Sequence, residues 1–66
     1  VQVTVNGKSM DVPDGLTVEG LLVQFNLVEE RVAVEHNQRV LDRGAFAETV
    51  LASGDVIEVV RFVGGG

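Results

Sequence analysis

Only one segment of this 66-residue chain repeats its apolar residues at clear helical spacing. Val18, Leu21, Leu22 and Phe25 fall at i, i+3, i+4 and i+7, which is one face of a helix of about two turns. Thr17 stands where an N-cap belongs, and Glu19 follows in the first turn, where the helix dipole favours a negative charge. Gly20 weakens the segment by roughly 1 kcal/mol relative to alanine, so packing of the apolar face must hold it. Asn26 is a reasonable stop. The other strongly patterned segments alternate at period two. A single helix covers one face of one sheet, so the chain is confined to a two-layer α+β unit.

The strands follow from the alternation. Val1, Val3 and Val5 alternate with Gln2 and Thr4. Asn6-Gly7 then predicts a type I′ hairpin, whose two central residues both need positive φ. Residues 8–12 return as a second strand with Met10 and Val12 apolar, and Pro13-Asp14-Gly15 closes it with a turn. In residues 31–36, Val32 and Val34 share one face and Ala33 and Glu35 the other. Asn37-Gln38 turns the chain into a short strand at residues 39–41. Asp42-Arg43-Gly44 opens an irregular stretch, with one helical turn expected near residues 46–50. Ser53-Gly54-Asp55 is a turn, and residues 56–63 form the longest strand. With the first and last strands as a parallel central pair and the helix across them, the arrangement is the β-grasp, or ubiquitin-like, fold. The expectation is a mixed sheet of four to five strands in a domain spanning residues 1–63. A flexible glycine tail at residues 64–66 follows it.

Composition narrows the function. Ten acidic residues against five basic give a net charge of −5. That argues against nucleic acid, whose affinity comes largely from Lys and Arg on phosphates, and against anionic membrane surfaces. A basic protein surface is the better match. The apolar runs are far shorter than the roughly 20 residues that span a bilayer, and no signal-peptide pattern leads the chain. Cysteine is absent, so packing alone must stabilise the domain, which fits a reducing cytoplasm.

Few residues offer chemistry. His36 is the only histidine and has no cysteine or second histidine to share a metal with; it is expected to be a solvated turn residue. Glu29-Glu30-Arg31 reads as a solvated loop, and Asp42 and Asp55 as turn or capping residues. No nucleophile–base pair and no glycine-rich phosphate loop is present. The chain is therefore expected not to be an enzyme by itself.

The last strand and tail remain. Ile57 and Val59 share the face assigned to the core; Glu58, Val60 and Phe62 share the other. Val60 and Phe62 then form an apolar pair on the open side of the sheet, suited to anchoring a partner. Gly64-Gly65-Gly66 follows directly. Glycine loses more conformational entropy on ordering than any other residue, so this segment adds nothing to a core. It is thin enough to thread into another enzyme's active site.

Taken in order, several pieces resemble the ThiS family, the sulfur carriers of thiazole (thiamin) biosynthesis. They are the opening Val1 to Gly7, the Pro13 to Val18 turn into the helix with Leu21-Leu22, Arg31 to Asn37, Gly54 to Val60, and the closing glycines. The resemblance covers the whole chain. It implies that Gly66 carries the chemistry, with Gly65 and Gly64 giving it reach. An E1-like (ThiF-like) adenylyltransferase would use ATP and magnesium to activate the Gly66 carboxylate. A sulfur donor system would convert it to a thiocarboxylate, and a ThiG-like thiazole synthase would take up the sulfur. The chain itself would bind no cofactor. Val60 and Phe62 would dock both enzymes. The family's signature is the last two glycines, so Gly64 is an addition. Many relatives carry glycine after the strand asparagine, where this chain has Gln38.

Three other readings share the fold. One is the small subunit of molybdopterin synthase, which has the same double-glycine end. Another is a ubiquitin-like interaction module that is never activated. The third is a conjugated modifier joined through Gly66 to a lysine.

Overall fold

A computed structural model describes residues 1–27 and 31–61. Strands β1 (Gln2–Val5) and β2 (Lys8–Asp11) are followed by helix α1 (Val18–Gln24). Then come β3 (Val32–His36), β4 (Arg39–Leu41), a 3-10 turn at Arg43–Ala45, and β5 (Val56–Arg61). The five strands make one mixed sheet in the order β2-β1-β5-β3-β4. β1 and β5 are the parallel pair expected from the sequence; β2 runs antiparallel to β1, and β3 runs antiparallel to both β5 and β4. This is a β-grasp fold.

The two hairpins use the same device. Asn6 and Gly7 hold φ at +50° and +83°, which is the type I′ geometry whose twist matches the flanking strands. Asn37 and Gln38 hold φ at +53° and +71°. Gln38 thus takes the left-handed conformation that a glycine would adopt without strain.

Helix α1 lies on one face of the sheet. Val18, Leu21 and Leu22 are buried in one core with Val3, Val5, Val34 and Ile57. Its first turn is fully capped: the Thr17 hydroxyl accepts from the Gly20 N–H at 3.1 Å, and the Val18 and Glu19 N–H groups donate to the carbonyls of Thr49 and Phe46 at 2.9 and 3.0 Å. A Cβ on Gly20 would stand 2.7 Å from Leu16 Cδ1, so this glycine lets Leu16 lie against the turn.

Those caps correct one expectation. The helical turn sits at Arg43–Ala45, not at residues 46–50. The carbonyls of Phe46 and Thr49 are drawn to α1, and Val50 bridges to Thr17. Residues 46–48 continue as turns, with Phe46 in the right-handed helical region and the Glu48 N–H donating to the Ala45 carbonyl at 3.1 Å, and Phe46 and Leu51 lie in the core.

The other end of the helix brings a second correction. Phe25 is the C-cap and is 39% exposed; it does not complete the buried face. Asn26 turns left-handed at φ +59°. The Leu27 N–H then reaches the Leu22 carbonyl at 2.8 Å and the Asn26 N–H reaches that of Val23 at 3.0 Å. This is a Schellman ending. It carries Leu27 back onto the core, where the helical spacing had placed Phe25. The end of the last strand at residues 62–63, the tail at residues 64–66 and the Glu29-Glu30 pair lie outside the described residues.

Candidate functional site: the open sheet face and the end of β5

β5 is the central strand and the one that runs toward the glycines. Its side chains alternate as the sequence predicts: Ile57 and Val59 are buried, and Val56, Glu58 and Val60 are exposed on the face away from α1. Val60 is 55% exposed. Across the antiparallel pairing it lies opposite Ala33, while Glu58 lies opposite Glu35. Glu35 in turn faces Val40 on β4, which is 77% exposed.

The far end of β5 extends past β1. Pairing between the two strands reaches Val5 and Ile57, and there the β1–β2 hairpin turns away. The Asn6 side chain takes over: its Oδ1 accepts from the Val59 N–H at 2.8 Å. Beyond it, Val60 and Arg61 pair with Ala33 and Val32 on β3. The exit toward the tail is therefore held from one side.

The start of β5 is fastened by a polar cluster. Asp55 Oδ2 lies 2.8 Å from His36 Nε2 and accepts from the Ala52 N–H at 2.9 Å. Its Oδ1 accepts from Asn37 Nδ2 at 3.1 Å. Asn37 Oδ1 accepts from the Val56 N–H at 2.9 Å. Burial alone would push the Asp55 carboxyl up; the hydrogen bonds from His36, Ala52 and Asn37, with the His36 charge, outweigh it and hold the group below its ordinary value of 3.8. His36 is thus not the solvated turn residue expected. It closes β3 and ties the β3–β4 turn to the loop before β5.

The described residues offer little for catalysis. They contain no group of three or more metal-ligating side chains. A shallow cavity of about 210 Å³ is lined by Gln2, Val3, Thr4, Ser9, Ser53 and Gly54. Its serine hydroxyls have no base among the lining residues. No described helix is long and apolar enough to cross a membrane.

Of the residues singled out from sequence, Val60 stands on the open face as expected. Phe62, Gly64, Gly65 and Gly66 lie outside the described residues. The second roles of Asn6, Asn37 and Asp55 were missed. Each reads locally as a turn former; their long-range bonds appear only when the strands are side by side.

Comparison with known proteins agrees with this geometry. The model of the ThiS family matches residues 3–66. The chain belongs to the ThiS family. The sulfur carrier protein ThiS of Bacillus subtilis is 38% identical over 63 residues, covering 94% of this chain and 96% of that protein. The crystal structure of the thiamine biosynthesis protein ThiS from Geobacter metallireducens superposes with a TM-score of 0.84 at 39% identity, covering all of both chains. A thiazole synthase of Magnetococcus marinus is 42% identical over 66 residues. The chain spans 20% of the length of that synthase and of the similar one from Paramagnetospirillum magneticum. A ThiS-like segment thus occurs within the same polypeptide as proteins named thiazole synthase.

Proposed function

We propose that this chain is a sulfur carrier of thiamin biosynthesis, loaded at Gly66 and unloaded by a thiazole synthase. Membership of the ThiS family carries the reading. The names of its relatives favour the thiazole pathway over molybdopterin.

The proposal requires Gly66 to end the mature protein. A terminal carboxylate has a pKa of about 3.3–3.7 and is ionised and unreactive at neutral pH. A ThiF-like adenylyltransferase would use ATP and magnesium to join it to AMP, releasing pyrophosphate. A persulfide sulfur from the donor system would then displace AMP, giving an acyl disulfide. Reduction of that S–S bond by a thiol leaves the thiocarboxylate on Gly66. Glycine suits each step, since no Cβ obstructs the approach to the acyl carbon. Gly65 and Gly64 supply reach, and Val60 with Phe62 docks the enzymes. The body holds and presents the tail and does none of the bond-making.

Removal of Gly66 tests this. A variant lacking it is expected to abolish thiazole formation in a reconstituted system, while the thermal unfolding midpoint stays unchanged. Full activity in the shortened protein would contradict the proposal.

A further inference from the structure

A side chain extends the β1–β5 ladder beyond the point where the backbone leaves it. The two strands run parallel, with Thr4 opposite Val56 and Val5 opposite Ile57. The Thr4 N–H donates to the Asp55 carbonyl and the Asn6 N–H to the Ile57 carbonyl, each at 2.9 Å. In a regular parallel ladder the next bond would run from the Val59 N–H to the Asn6 carbonyl. The main chain at Asn6 instead turns out of the sheet into the β1–β2 hairpin, at φ +50°. Asn6 Oδ1 stands in for that carbonyl and accepts from the Val59 N–H at 2.8 Å. The contact joins residues 53 positions apart.

The place of this bond gives it a consequence for the reaction. Val59 stands seven residues before Gly66. Past it, Val60 and Arg61 pair with Ala33 and Val32, and Val32 is where β3 begins. The ladder with β3 thus runs out at the same level, and the Asn6–Val59 bond ties the exit of β5 to β1 at the centre of the sheet. Without the bond, the partly buried Val59 N–H loses its acceptor, and the end of β5 loosens. Those residues must then be ordered during entry into an active site, whereas the intact strand has them ordered beforehand.

We infer that Asn6 is a positioning residue for the loading of Gly66: its side chain fixes the line on which β5 leaves the sheet, and with it the delivery of the terminal carboxylate to the activating enzyme. This rests on the reading of the chain as an adenylated carrier. Asn6 touches no reacting atom and acts through Val59. The bond also supports the fold, so positioning and stability need separate readouts. Unfolding only withdraws competent carrier, which raises the half-saturating concentration and leaves the maximal rate alone. A misdirected exit lowers the maximal rate itself.

The test is single-turnover adenylation of the full natural protein by the purified ThiF-like enzyme, with ATP and magnesium saturating and the enzyme varied in excess. Asn6→Gly removes the acceptor and keeps a Gly-Gly turn, while Asn6→Asp keeps an acceptor in an Asp-Gly turn; both pairs suit type I′ geometry. Thr17→Ala removes the helix cap instead and serves as the control for lost stability. Asn6→Gly is expected to lower the maximal rate about fivefold or more and to speed amide exchange at Val59 about tenfold or more. Asn6→Asp is expected to restore both to near the parent's values, and Thr17→Ala to keep the parent's maximal rate. A parental maximal rate in Asn6→Gly, with or without a raised half-saturating concentration, would overturn the inference and leave the carrier reading standing. So would failure of Asn6→Asp to restore the rate, or an equal loss of rate in Thr17→Ala. A parent protein that the active enzyme does not adenylate would overturn the carrier reading, and this inference with it.

Discussion

Gln38 shows what a single residue contributes here. It is exposed and holds φ at +71°, a conformation that costs an L-residue with a Cβ roughly 1–2 kcal/mol. Glycine removes that cost but gives part of it back as unfolded-state entropy. Gln38→Gly is therefore expected to stabilise the fold by about 0.5–1 kcal/mol, as read from urea denaturation. Asp55 gives a pH signature. Its folded pKa lies below the ordinary 3.8, so the folded protein keeps the carboxylate ionised more readily than the unfolded chain. The stability this supplies is complete above that value and is lost as pH falls through the lowered one. Asp55→Asn should flatten that acid limb of the stability–pH curve; an unchanged limb would assign it to other carboxylates. Alternation alone made the inward and outward positions of β3 and β5 readable from the sequence. The His36–Asp55 contact was not, because nineteen positions separate the partners and no local pattern marks the pair.

At the level of elements, α1 is the one piece that closes the core. Leu21 is fully buried on it. Leu21→Ala is expected to cost about 2–5 kcal/mol, against a total stability on the order of 3–10 kcal/mol for a chain of this length. Circular dichroism should then show a thermal melt far below the parent's, and a cooperative melt close to the parent's would contradict the packing described. The helix start was legible because the Thr17 cap and the apolar spacing are local signals. Its end was legible only in part: Asn26 marked the stop, but the return of Leu27 to the core depends on a left-handed residue redirecting the chain. The loop from Asp42 to Leu51 was the least legible. Its path is set by two carbonyls bonded to the helix N-terminus, a tertiary demand that overrides local preference.

For the whole molecule, the division of labour is simple. A small acidic β-grasp body presents one open face and one strand leading to three glycines, and the proposed chemistry happens at the last of them. The fold class was within reach of the sequence because one helix and alternating strands leave few two-layer solutions. Tail chemistry came instead from the likeness to a family. The most direct measurement is the intact mass of the natural protein after incubation with ATP, magnesium, the activating enzyme and a persulfide donor, with fragmentation to locate any change. The account predicts exchange of one oxygen for sulfur, confined to Gly66. An unchanged mass with a demonstrably active enzyme, or sulfur placed at any other residue, would contradict it.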